Sequence, residues 1–222
     1  VIFTRPKSKD ELLRTLVPYK KLMILGCGSC STDCHTGGEK EVAAMKKLLE
    51  SRGKKVVGDT VVESLCNVER VRRALKAREN EAEEAQAVLV MSCGIAVQVV
   101  AGWVNKPVFP ALDTVFAGAL ERVGHYSEMC GLCGQCVAGD YGGICPVSRC
   151  PKGLLNGPCG GSVGGHCEVD SDMECVWTVI YERMKGMGAE GSLCCMAQPK
   201  DHERAIHPRR IDSGAGILKG EW

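Results

Sequence analysis

Aromatic side chains are scarce in this chain: Phe, Trp and Tyr make up 5 % of its 222 residues. The apolar fraction of 45 % is ordinary, so any core must be built from aliphatic side chains. An excess of either charge is missing too, with 28 basic residues against 27 acidic, a net +1, and no long basic run. That excludes nucleic acid or an anionic membrane as the main partner. No apolar stretch approaches the roughly 20 residues that span a bilayer. The opening residues, Val1-Ile-Phe-Thr-Arg-Pro-Lys-Ser8, lack the charged-then-apolar layout of a secretory signal. The expectation is a soluble, cytoplasmic chain.

Catalytic signatures are absent as well. The chain has no zinc-protease helix, no Gly-x-Ser-x-Gly elbow and no phosphate-binding loop. Gly26-Cys-Gly28-Ser-Cys-Ser31 is a partial dinucleotide-binding fingerprint, but the third glycine is missing. No acidic residue closes a second strand about twenty residues further on, and a nucleotide site is rejected.

Cysteine is what the chain has in abundance. There are 15, and eight lie between Cys130 and Cys175: Cys130, Cys133, Cys136, Cys145, Cys150, Cys159, Cys167 and Cys175. The 38 residues from Cys130 to Cys167 hold 7 cysteines and 11 glycines. Such a segment has too little hydrocarbon to offset its ordering entropy by burial, so metal–thiolate bonds are expected to hold it. Disulfides are uncommon in a reducing compartment, and an odd cysteine count leaves one thiol over.

The first half reads as alternating strands and helices. Ser8-Lys-Asp-Glu11 is a capping box opening a helix with Leu12, Leu13 and Leu16. Leu22–Leu25 is a buried strand ending at Gly26-Cys27. Thr36-Gly-Gly-Glu39 is read as a second capping box, opening a helix with Val42, Met45, Leu48 and Leu49. An extended run from Lys55 is expected to close at Cys66. Asn67 is expected to cap a helix using Val68, Val71 and Leu75, and Glu79 to Glu84 a solvated helix surface. Ala87–Met91 is a strand ending at Ser92-Cys93-Gly94, followed by a helix from about Ile95 to Trp103 and a strand near Pro107 to Leu112.

This order predicts an α/β fold, Rossmann-like, with a small parallel sheet flanked by helices. Ligands of such sheets sit outside the strand carboxyl ends, where Cys27, Cys66 and Cys93 are expected to face one crevice. Three regions are expected. Residues 1–124 form the α/β domain with an iron–sulfur site, and 125–188 an irregular cysteine-rich metal-binding domain. Residues 189–222 form an extended tail. In the second region Ser171-Asp-Met-Glu174 is read as a third capping box, placing Met173 in the helix and Cys175 in its first turn.

Two cysteine constellations carry the chemistry. Cys27, Cys30 and Cys34 could hold three corners of a cubane, with Cys93 chosen as the fourth ligand and Cys66 in reserve. A structural zinc site is the alternative. Cys130-x-x-Cys133-x-x-Cys136 has three cysteines at successive two-residue gaps, resembling the ferredoxin loop, and Cys145-Pro146 or Cys150-Pro151 could complete it. The eight cysteines from Cys130 to Cys175 suffice for two four-thiolate sites, either two clusters or one cluster and one zinc. His35, His125 and His166 border these sites, although a surface role is the commoner one. His202, His207 and the adjacent Cys194-Cys195 carry no assigned role.

The run from Cys130 to Trp177 resembles the cysteine-rich C-terminal domain found with methylenetetrahydrofolate reductase. The most specific parts are Gly142-Gly-Ile-Cys-Pro-Val-Ser-Arg-Cys-Pro-Lys-Gly-Leu-Leu-Asn-Gly-Pro-Cys-Gly-Gly161 and His166-Cys-Glu-Val-Asp170. Together with the first-half cysteines, the chain is similar to the small iron–sulfur subunit of the two-subunit, acetogenic-type enzyme. The resemblance implies two or three [4Fe–4S] clusters, with zinc open for one C-terminal site. It implies a partner barrel subunit carrying FMN or FAD, and an upstream donor such as ferredoxin or another redox complex. The chain would then relay electrons for reduction of methylene- to methyl-tetrahydrofolate in one-carbon metabolism, as a non-catalytic subunit of an oxidoreductase. Its carried-over ligands are Cys27, Cys30, Cys34, Cys93, Cys130, Cys133, Cys136, Cys145, Cys150, Cys159, Cys167 and Cys175.

Two other classes compete with an electron carrier. A structural zinc adaptor would use the same cysteines without changing oxidation state. A thiol enzyme using Cys194-Cys195 or Cys27/Cys30 ranks last, because no free Cys-x-x-Cys opens a thioredoxin-like helix.

Overall fold

A computed structural model describes residues 1–209. The chain divides into two compact units, Val1–Met129 and Cys130–Trp222. The end of the expected tail, 210–222, lies outside the described residues.

The first unit carries the mixed α/β architecture expected from the sequence. Its elements are β1 (Ile2–Pro6), α1 (Lys9–Thr15), β2 (Lys21–Cys27), α2 (Cys30–Asp33), α3 (Glu39–Ser51) and β3 (Lys55–Val62). They continue with α4 (Val68–Ala77), α5 (Glu79–Glu84), β4 (Ala87–Met91), α6 (Gly94–Ala101), β5 (Val108–Pro110), β6 (Leu112–Arg122) and β7 (His125–Cys130). Four strands form a parallel sheet in the order β3-β2-β4-β5. Ala87–Met91 is buried at every position, because a parallel strand covered on both sides reads as an unbroken apolar run.

Two hydrophobic clusters cover the two faces of this sheet. Leu12 and Leu16 of the α1 turn and Val42 and Leu49 of α3 pack with Leu22, Ile24 and Leu89. Val71 and Leu75 of α4 and Ala96 and Val100 of α6 pack with Met23, Leu25, Val88 and Val90. The chain runs from β2 outward to β3, then returns to β4 on the other side of β2. The gap between β2 and β4 is therefore the topological switch point, where open α/β sheets place ligands.

Local signals account for several element ends. Ser8 accepts a hydrogen bond from the Glu11 N–H at 3.2 Å, and Asn67 accepts one from Arg70 N–H at 3.1 Å. The second capping box lies two residues later than expected. Gly38, not Thr36, is the N-cap of α3, and its N–H donates to Glu41 Oε2 at 3.0 Å. Thr36 is instead drawn inside, its hydroxyl 2.7 Å from that of Thr4. Gly37 is required by close approach, since a Cβ there would stand 2.0 Å from the Met91 carbonyl oxygen.

A second sheet was not foreseen. β1, β6 and β7 form a three-stranded sheet in the order β1-β6-β7, with β1 antiparallel to β6. It pairs Ile2 with Ala117 and Pro6 with Leu112. Phe3 stacks on Phe116 at 4.9 Å and lies 4.7 Å from Tyr126, so three of the chain's few aromatics hold this sheet together.

The second unit has little regular structure. Its described residues hold α7 (Pro146–Arg149), α8 (Val176–Gly186) and three short 3₁₀ turns at Ala138–Tyr141, Glu190–Cys194 and His202–Ala205. From Cys130 to Glu174 only Tyr141 and Pro146 are buried. One small cluster joins Tyr141 to Cys175, Val176, Trp177, Ile180 and Met184. The third capping box does not form: α8 starts at Val176 behind Cys175 as N-cap, and Met173 is exposed outside the helix. Among the described residues, no helix is long and apolar enough to cross a membrane.

Candidate metal centres

All fifteen cysteines are free thiols. Among the described residues, no three His, Cys, Asp or Glu side chains form a group already arranged to hold a metal ion. The candidate sets rest instead on which thiols share a turn, a cluster or a cavity.

In the first unit Cys27 and Cys93 stand at or just past the ends of β2 and β4, and Cys30 and Cys34 bound the short helix between Cys27 and α3. Cys27 is the last residue of β2 and Cys93 is the N-cap of α6, so the two flank the switch point and belong to one packed cluster. Cys30 opens α2 and Cys34 closes it as C-cap. The Ser31 hydroxyl donates to Ser92 Oγ at 3.4 Å, tying α2 to the residue before Cys93. Cys34 donates to the Ile2 carbonyl at 3.7 Å. Burial pushes the Cys34 thiol up, against a smaller downward pull from the Thr4 backbone.

Cys66 stands apart from this group. β3 ends at Val62, and the exposed Cys66 follows a turn, its sulfur 3.2 Å from Ser64 Oγ. The expectation that it closes a strand fails, because Glu63 to Cys66 leave the sheet. Two cavities of this unit, about 370 and 320 Å³, are lined by no cysteine.

The second unit contributes two groups. Cys130 ends β7, and Cys133 and Cys136 follow in the adjoining loop, where the Leu132 N–H donates to Cys130 Sγ at 3.4 Å. Cys130 and Cys136 are exposed and Cys133 is half-buried. The Lys200 ammonium donates to Cys133 Sγ at 2.7 Å and holds this thiol below its ordinary value. Cys145 is the N-cap of α7, with Pro146 at the first helical position.

Cys150, Cys159, Cys167 and Cys175 line one cavity of about 20 Å³, together with Ser162, Glu168 and Trp177. Backbone pairing places the last two: Cys167 N–H donates to the Met173 carbonyl at 2.9 Å, and Cys175 N–H to Gly165 at 2.7 Å. Cys159 donates to Glu168 Oε1 at 3.3 Å, and Lys152 pairs with the same carboxylate. Burial pushes the Cys175 thiol up. The nearby N–H groups of Thr178 and Trp177, with the Thr178 and Ser162 hydroxyls, bring it below the ordinary value overall.

A further sign of fit is an orphan donor. Trp177 is 7 % exposed, and its indole Nε1 has no hydrogen-bond partner. Buried indole N–H groups ordinarily find an acceptor, and metal-bound thiolates are acceptors. Four thiols around one small space, with an orphan indole donor on a residue that lines both this cavity and a second one, fit a metal–thiolate centre.

Residues 109–203 match the family model described as methylene-tetrahydrofolate reductase C terminal. The match supports that family. It covers a little under half of the chain, from β5 through the cysteine-rich segment to the turn at Glu203. The family's name links this stretch to methylenetetrahydrofolate reductase, an oxidoreductase. Comparison with curated proteins and with solved structures gives no significant match.

Lys200, Glu168 and Trp177 had no signal as site residues in the sequence. Lys200 lies in a stretch without periodicity, and Trp177 reads as one more apolar position on a helix. His35, His125 and His166 are exposed, and none of them lines the four-cysteine cavity. Cys194 and Cys195 are exposed and border a separate space of about 120 Å³ beside Tyr141 and Trp177.

Proposed function

We propose that this chain is the iron–sulfur electron-transfer subunit of a methylenetetrahydrofolate reductase complex, delivering electrons to a flavin on a partner barrel subunit. The observation that carries the reading is the exposed Cys130-x-x-Cys133-x-x-Cys136 loop inside the family-matched stretch. That loop has the spacing of iron–sulfur ligation and almost no apolar packing of its own. When bound, such clusters supply one-electron transfer, which zinc cannot.

The ligand sets follow from position. Cys27, Cys30, Cys34 and Cys93 would hold one [4Fe–4S] cluster at the switch point. Cys130, Cys133, Cys136 and Cys145 would hold a second. For Cys150, Cys159, Cys167 and Cys175 the small cavity they line favours a single ion. About 20 Å³ is room for roughly one water-sized occupant, and a four-iron cube needs several times that. A single zinc ion suits this set and would peg the chain before α8.

The donors around these thiols do the remaining work. The N–H groups at the start of α8 favour the anionic form of Cys175, and Trp177 supplies a further donor to the same cavity. Ferredoxin or a similar redox protein is the proposed upstream donor, and the site of action is the cytoplasm.

Anaerobically purified protein should be brown, with about eight irons, eight acid-labile sulfides and one zinc per chain. A colourless protein holding zinc alone would overturn the reading. The small four-cysteine cavity also favours a second reading, a structural zinc adaptor. If Cys133→Ser abolishes flavin reduction while complex assembly persists, the adaptor reading fails.

A further inference from the structure

The segment after Pro199 folds back over the Cys130–Cys136 loop and binds it at successive positions. Lys200 Nζ donates to Cys133 Sγ at 2.7 Å and to the Gln135 carbonyl at 2.6 Å. Asp201 N–H donates to Gln135 Oε1 at 2.8 Å. Arg209 Nη2 donates to the Leu132 carbonyl at 2.9 Å, while its Nη1 is fixed by the Arg204 carbonyl at 2.7 Å.

Between these anchors Gly134 sits at φ +79°, and a Cβ there would meet the Arg204 carbonyl oxygen at 2.7 Å. Loop and strap are therefore shaped to each other. Within this contact the Lys200 ammonium is half-buried and, among the described residues, donates to a carbonyl and a sulfur rather than to a carboxylate.

We propose that Lys200 is a positioning and tuning residue for the centre held by Cys133: its ammonium donates to the ligating sulfur and stabilises the extra negative charge of the reduced state. This rests on the iron–sulfur reading of the Cys130–Cys136 loop. Hydrogen bonds to ligand sulfur and nearby charge are two of the means by which a protein sets a cluster's potential. A lysine charge 2.7 Å from the sulfur and half out of solvent supplies both. The strap through Asp201 and Arg209 fixes where that charge stands. Arginine at the same position keeps a charge and a donor, whereas methionine keeps only the apolar stem.

The test is an EPR-monitored redox titration of full-length, anaerobically purified protein, with dithionite as the one-electron reductant. The relevant signal is the component that Cys133→Ser removes or alters. Lys200→Met should keep the iron and sulfide count yet reduce this centre less readily. At a fixed ambient potential the reduced-to-oxidised ratio should fall about tenfold, a shift of about 59 mV downward for one electron. Lys200→Arg should stay close to wild type.

An unchanged potential in Lys200→Met with full iron content would overturn the proposal and leave the iron–sulfur reading intact. If Lys200→Met loses the centre while Lys200→Arg keeps it, the proposal stands. Loss in both variants overturns it, since a charge-and-donor role survives the conservative exchange. A wild-type protein without iron refutes the underlying reading itself, and the proposal with it.

Discussion

Trp177→Phe separates a metal centre from a packing cluster through the sign of its effect. Trp177 lines the four-cysteine cavity, and its buried Nε1–H has no acceptor among the described residues. An unsatisfied buried donor costs about 1–3 kcal/mol. In the metal-free chain, phenylalanine removes that penalty while giving up some indole contacts. The two effects are of similar size and opposite sign, so stability should change by less than about 1 kcal/mol. In the metal-loaded chain the indole donates to a thiolate, and a hydrogen bond to a charged group contributes about 1.5–3 kcal/mol. The exchange should therefore weaken metal binding by roughly 10- to 100-fold. Zinc competition against a chromogenic chelator measures this, with thermal melts of both forms as the control. A Trp177→Phe protein that binds zinc as tightly as wild type would refute the assignment of the orphan donor to the metal site.

Three further outcomes test the fold. Leu89 is fully buried in the central strand, so Leu89→Ala should cost about 2–5 kcal/mol in urea unfolding, and a loss below 1 kcal/mol would contradict the two-faced core. Asn67→Ala removes the side-chain cap of α4 and should cost about 1 kcal/mol, with Asn67→Asp restoring most of it. Lys55 and Lys21 hold the Glu84 carboxyl below its ordinary value. A depressed carboxyl favours the folded state above its unfolded pKa and loses that contribution as pH falls through the folded one. The stability gap between wild type and Glu84→Gln should thus be present at pH 7 and close below about pH 4. A gap independent of pH would exclude this ion pair as its source.

The parallel sheet was legible because its two central strands are local apolar runs and two of its helices carry local side-chain caps. Ala87–Met91 matches residue for residue, and Ser8 and Asn67 cap as read. The antiparallel sheet was illegible for a converse reason. Ile2 pairs with Ala117 across more than a hundred residues, and β6 is half-exposed without clean alternation, so neither strand carries a signal of its own. Two capping boxes misled for a shared cause. The sequence pattern does not say whether the chain is helical at its first residue. Thr36 is claimed by Thr4, and Glu174 pairs with His166 in a short bridge before α8 begins. The cysteine sets were visible as spacing, but the grouping of Cys150 with Cys159, Cys167 and Cys175 needed three dimensions.

The family-matched stretch starts inside β5 and takes in β6 and β7, yet leaves β1 behind. A gene fragment cut to that stretch would strip β6 of one neighbour from Leu112 to Ala117 and present a bare, sticky border. Recombinant pieces trimmed to the matched boundaries should clump, and those that retain the first six residues' hydrogen-bonding surface should stay dispersed. The matched stretch therefore cuts through a sheet that only the longer chain completes.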